Sequence, residues 1–135
     1  MGERRLTGRV LVVDDEAPIR ELVRQALEDE GCAVATAADG AAALAHLRLA
    51  RAAGESPDVI LLDIRMPVLD GWGFAAAYRR EPPPRAPVVV MTAALDARDA
   101  RRWAAEVGAA ACLPKPFDLE EFLAVVGRFT DRRRR

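Results

Sequence analysis

Five short apolar runs, at 10–13, 33–35, 59–62, 88–91 and 109–113, recur along the chain and constrain its fold more than any other feature. Each has the length of a strand and is apolar throughout rather than alternating, which suits strands buried on both faces of a parallel sheet covered by helices. The segments between them have helical spacing. Ile19, Leu22, Val23, Ala26 and Leu27 fall at i, i+3, i+4, i+7 and i+8 behind Pro18, a residue favoured in a first helical turn, and Gly31 supplies the stop. A second helix is expected over 40–52, closed by Gly54, and a third from Gly71 to before Pro82-Pro83-Pro84, which cannot stay helical. The fourth spans about 96–107 before Gly108. The fifth follows Asp118, with Glu121 completing a capping box, and its spacing directs Leu119, Phe122, Leu123, Val126 and Phe129 inward.

A strand followed by a helix, five times over with short connections, predicts an α/β three-layer sandwich with right-handed crossovers. The natural topology is a flavodoxin-like, doubly wound (βα)5 fold with a five-stranded parallel sheet in the order 2-1-3-4-5. At 135 residues, 51% of them hydrophobic, the chain can bury one ordinary core but not two. The expected division is a lead-in over 1–8, one domain over 9–131 and a basic tail over 132–135, with the Pro-rich 81–87 segment a rigid loop.

Charge and residue scarcity exclude several functions. Twenty basic and 21 acidic side chains leave a formal charge of −1, no field to draw in nucleic acid or an anionic membrane. Direct nucleic-acid and membrane partners are therefore not expected. Two thiols, Cys32 and Cys112, with no signal peptide in view, read as reduced packing residues in the cytoplasm. Ser56 is the single serine, His46 the single histidine and Lys115 the single lysine beside 19 arginines, which removes a Ser-His triad and any multi-histidine metal site.

The chemistry gathers at the strand ends. Asp14 and Asp15 follow the first run, Asp63 the third, Thr92 the fourth, and Lys115 lies just past the fifth. In a parallel sheet these positions share the carboxyl edge, where α/β folds bind ligands. Neighbouring carboxylates repel unless a cation neutralises them, and oxygen donors without a convergent His or Cys favour a hard divalent ion, Mg²⁺ rather than Ca²⁺, with Mn²⁺ as a substitute. Such a site can hold a phosphoryl group beside the Lys115 ammonium and the Thr92 hydroxyl, and a carboxylate can itself be the nucleophile. A lysine where every other basic residue is arginine points to a place that needs a compact ammonium and not a planar fork. Pro116 behind it is expected to fix the turn, through a cis bond in one reading.

Four stretches carry a family resemblance. Val12-Val13-Asp14-Asp15-Glu16, Leu62-Asp63-Ile64-Arg65-Met66-Pro67-Val68-Leu69-Asp70-Gly71, Val90-Met91-Thr92-Ala93 and Leu113-Pro114-Lys115-Pro116-Phe117 resemble the signatures of response-regulator receiver domains of two-component signalling. The resemblance implies that Asp63 is the phosphoacceptor and that Asp15 and the Arg65 main-chain carbonyl bind Mg²⁺ directly, with Asp14 acting mainly through water. It implies that Thr92 and Lys115 sense the phosphoryl group, with Ala93 and Pro116 in support. It also implies a sensor histidine kinase or histidine phosphotransfer protein as donor. The surface of the fourth helix, fifth strand and fifth helix would switch, either to meet a downstream effector or to form a phosphorylation-linked homodimer. Such a chain is a signalling phosphoacceptor and not an enzyme.

Two departures from the family matter. Its usual aromatic switch residue, three before the lysine, is Cys112 here. Arg65 and Ala94, two after Asp63 and Thr92, offer no carboxylate or amide to orient water, which predicts a long-lived phosphoryl group. Other polar and aromatic residues take plainer readings: His46 as a partly exposed helix residue, Trp103 as core packing with Ala104 and Val107 or else as part of an exposed partner surface with Arg98, Arg101 and Arg102, the terminal arginines as a solvated tail. A haloacid-dehalogenase-like phosphatase would want an acid where Arg65 stands, and a flavin module would want hydroxyl and glycine donors where Asp14-Asp15-Glu16 stands. A docking module of the same shape that is never phosphorylated is the third rival.

Overall fold

The computed structural model describes residues 7–64, 70–92, 97–115 and 117–130. Elements follow in the order β1 (Arg9–Val13), α1 (Ala17–Asp29), β2 (Ala33–Ala37), α2 (Gly40–Ala53), β3 (Val59–Asp63), α3 (Gly71–Arg79), β4 (Val88–Thr92), α4 (Ala97–Val107), β5 (Ala111–Pro114) and α5 (Leu119–Thr130). The strands form one parallel sheet in the order β2-β1-β3-β4-β5, the flavodoxin-like topology expected from the sequence.

Successive side chains of a strand point to opposite faces, and each face has its own core. Val10 and Val12 of β1 join Val59 and Leu61 of β3 beneath Val23 and Leu27 of α1 and Phe122 and Val126 of α5. Leu11 and Val13 join Ile60 and Leu62 beneath Leu44 and Leu47 of α2 and Phe74 and Tyr78 of α3. A third cluster, with Ile64, Ala75, Val90, Ala104 and Val107 at its centre, lies between α3, β4 and α4. Every residue of β3 is buried, which explains the unbroken apolar run: burying each Val, Leu or Ile contributes about 1.5–3 kcal/mol.

Local signals set the helix ends. Asp39 and Asp70 cap α2 and α3, accepting from the Ala42 and Gly73 amides at 2.8 Å. The expected capping box at α5 is reciprocal, the Glu121 amide donating to Asp118 at 2.7 Å and the Asp118 amide to Glu121 at 3.3 Å. At the end of α4, Gly108 takes φ +70°, and the Gly108 and Ala109 amides return to the Ala105 and Ala104 carbonyls. That closure uses Ala109, so β5 starts at Ala111 rather than at the expected Ala109.

Two leucines correct the helical reading. Leu119, expected inward, is 57% exposed, and Leu22, on the apolar stripe of α1, is 67% exposed. Both edge a groove lined by Val23, Ala26, Phe117 and Phe122 along the seam of α1 and α5. Only the inner flank of each helix meets the sheet. Among the described residues no helix is long and apolar enough to cross a membrane.

Candidate functional site

Strand register brings the site together. Val13 pairs with Ala37 on one side and Leu62 on the other, Asp63 pairs with Met91, and Thr92 pairs with Pro114. The carboxyl ends of four adjacent strands are therefore level, and Asp14, Asp63, Thr92 and Lys115 stand along one edge. Of the other residues expected here, Arg65, Ala93 and Pro116 lie outside the described residues, as does the Lys115-Pro116 bond. Thr92 is described as the last residue of β4, with its side chain outside the description.

Asp14 is fully buried and Asp63 is 6% exposed. Burial of two carboxylates demands partners, because an uncompensated charge in the interior is expensive. Lys115 supplies them: its Nζ donates to Asp14 Oδ2 at 3.0 Å and stands 3.6 Å from Asp63 Oδ2 and 3.8 Å from Glu16 Oε1. Burial pulls the Lys115 ammonium toward deprotonation. The Asp14 hydrogen bond and the charges of Asp63, Asp14 and Glu16 outweigh it and hold its pKa above the ordinary lysine value.

The acidic turn is shaped by its own hydrogen bonds. The Asp14 amide continues the sheet by donating to the Ala37 carbonyl at 3.1 Å, and Asp14 Oδ1 accepts from the Glu16 amide at 2.9 Å. Arg20, one turn into α1, donates from Nη1 to the Asp14 main-chain carbonyl at 2.8 Å. Asp15 stays exposed on this turn. Arg20 and Glu16 enlarge the set expected from the sequence. Glu16 was legible as the third acid of the run, whereas Arg20 could be recognised only by its place in the first turn of the helix that follows.

Carboxylate oxygens of Asp14, Glu16 and Asp63 lie within 4.8 Å of one another. At that spacing each ionised pair repels by on the order of 3 kcal/mol in an effective dielectric of about 20. One ammonium against three carboxylates leaves the cluster two positive charges short of neutrality. An all-oxygen donor set with that deficit fits a hard divalent ion such as Mg²⁺.

Outside the site, His46 is half-buried on α2, as expected of a partly exposed helix residue. Cys32 and Cys112 are both free thiols, Cys32 buried and Cys112 half-buried. Trp103 is half-buried against the α3–α4 cluster, its ring 5.6 Å from that of Trp72.

A doubly wound parallel sheet with carboxylates and a lysine at its carboxyl edge defines an α/β module with a ligand site at that edge, and the comparisons name the family. The chain belongs to the response regulator receiver domains, whose family model matches residues 10–127. It is similar to the DNA-binding transcriptional regulator NtrC of Escherichia coli K12, 41% identical over 121 residues, which are 90% of this chain and 24% of that protein. It is similar as well to SphR of Synechococcus elongatus, described as an alkaline phosphatase synthesis transcriptional regulatory protein, at 38% identity over 87% of this chain and 46% of that one. The chain thus spans about a quarter to a half of the length of these curated relatives. Among solved structures it resembles the chemotaxis response regulator CheY4 of Vibrio cholerae, with a TM-score of 0.78 and 37% identity over 91% of this chain and 98% of that one.

Proposed function

We propose that the chain is a phosphorylation switch in which Asp63 accepts a phosphoryl group from the phosphohistidine of a sensor histidine kinase or histidine phosphotransfer protein. The observation that carries this reading is Lys115 Nζ, drawn from the far end of the sheet to within 3.6 Å of the nearly buried Asp63 carboxylate. An Asp63 oxygen attacks phosphorus, the phosphorus–nitrogen bond breaks, and the imidazole leaves with that electron pair. Asp14 and Asp63, with Asp15 and Glu16 on the neighbouring turn and the Arg65 main-chain carbonyl, would hold Mg²⁺, or Mn²⁺ in its place. When bound, that ion neutralises phosphoryl oxygens and the crowded carboxylates. Lys115 is held protonated by its acidic neighbours and forms an ion pair with the incoming group. Thr92, last residue of β4, offers its hydroxyl to the same group.

Phosphorylation then switches the α4–β5–α5 surface toward a downstream effector or a second copy of the chain. The role is that of a cytoplasmic signal acceptor, with residues 9–131 as the working unit. Incubation with acetyl phosphate tests the reading: one phosphoryl group is gained with Mg²⁺ present and none when the ion is chelated. Equal gain in both would count against the proposed metal dependence.

A further inference from the structure

The chain has two tryptophans, and they meet. Trp72 is the second residue of α3 and Trp103 lies in the middle of α4. Their ring centroids are 5.6 Å apart at 72°, an edge-to-face contact. Trp72 Nε1 also donates to Glu106 Oε1 at 3.0 Å, so α3 is tied to α4 by a ring contact and a charge-assisted hydrogen bond.

The other end of this tie reaches the site. Gly71, directly before Trp72, donates its amide to the Ile64 carbonyl at 3.0 Å. A Cβ on Gly71 would fall 2.5 Å from the Ile64 Cα, so α3 begins in backbone contact with the residue after Asp63. Ile64 is fully buried in the cluster that holds Val90, Ala104 and Val107, with Trp72, Trp103 and Cys112 packed against it. Packed contacts thus run without a break from Asp63 to α4. The family's aromatic position on β5 is the small Cys112, while two large rings, Trp72 of α3 and Trp103 of α4, pack against the same cluster.

We propose that Trp72, held by Trp103 and Glu106, is the positioning residue that couples the state of Asp63 to α4. This rests on the reading of Asp63 as phosphoacceptor. A close-packed cluster transmits displacement only while its members stay in contact, and coupling between two places needs an element that both of them bias. Glu106 is exposed and can be altered without opening the core.

The test phosphorylates the wild-type chain and Glu106→Ala with acetyl phosphate and Mg²⁺, reads occupancy by intact mass, and compares tryptophan emission at matched occupancy. Both fluorophores sit at the contact and both survive in the variant. The wild type is expected to change its emission on phosphorylation, Glu106→Ala to lose more than half of that change, and Glu106→Gln, which keeps an acceptor oxygen, to retain it. A merely structural role would lower the melting temperature of Glu106→Ala and leave the emission change intact, and that result would overturn the coupling. Phosphorylated wild type with unaltered emission would overturn it as well. A wild-type chain that gains no phosphoryl group would instead overturn the proposed function, and the coupling with it.

Discussion

Lys115 donates from Nζ to Asp14 Oδ2 at 3.0 Å across 101 positions of sequence, joining the end of β5 to the end of β1 over the carboxylate of Asp63. Removing the ammonium leaves the fully buried Asp14 without its ion-pair partner. Lys115→Ala is expected to lose about 3 kcal/mol of stability in urea unfolding, the usual result of breaking a buried pair. Millimolar Mg²⁺ should restore more stability to this variant than it adds to the wild type. An unfolding midpoint equal to the wild type's would show that the pair does not hold the site together.

The start of α3 tolerates no added methyl group. A Cβ at position 71 meets both Cα and Cγ1 of Ile64, at 2.5 and 2.6 Å, and the nearer of the two is backbone. Gly71→Ala should therefore cost about 2 kcal/mol or more, in the range of other overpacked sites. Denaturant unfolding measures it, and an unchanged midpoint would contradict the close approach of α3 to β3.

How much of this was legible in the sequence depends on the distance over which each feature is determined. Strand runs such as 59–62 and the Asp118–Glu121 capping box are local, and both formed. Asp14, Asp63 and Lys115 could be placed on one edge because a parallel sheet aligns strand ends. Leu22 and Leu119 lie exposed on their helices: spacing marks an apolar stripe without showing how much of it a neighbour covers. Glu16 entered the cluster through the turn made by Asp14 Oδ1, which no periodicity encodes. The Trp72–Trp103 contact depends on how α3 and α4 pack, so only Trp103's share in the core could be anticipated.

Cys32 gives the fold an alkaline limit. Burial first, and then the charges of Glu30 and Asp58, push its thiol from the ordinary 9.0 up to about 11. A pKa raised by folding means that the contribution is complete below pH 9.0 and falls as pH rises through about 11. The loss should be on the order of 2 kcal/mol. Urea unfolding on either side of that window should show it in the wild type and not in Cys32→Ala. The same loss in both proteins would assign it to other groups.

Phosphoryl lifetime is open to a single substitution. With Arg65 and Ala94 at the positions two after Asp63 and Thr92, neither side chain provides a carboxylate or amide to orient an attacking water. Ala94→Gln or Ala94→Glu should speed loss of the phosphoryl group, followed as the decay of the phosphorylated mass after the donor is removed. An unchanged decay rate would remove Ala94 from the account.

The central claim is that Asp63 is the phosphoacceptor, and intact-mass measurement tests it most directly. After incubation with Mg²⁺ and acetyl phosphate, the wild-type chain is predicted to gain the mass of one phosphoryl group and Asp63→Asn to gain none. No gain in the wild type, or an equal gain in Asp63→Asn, would contradict it.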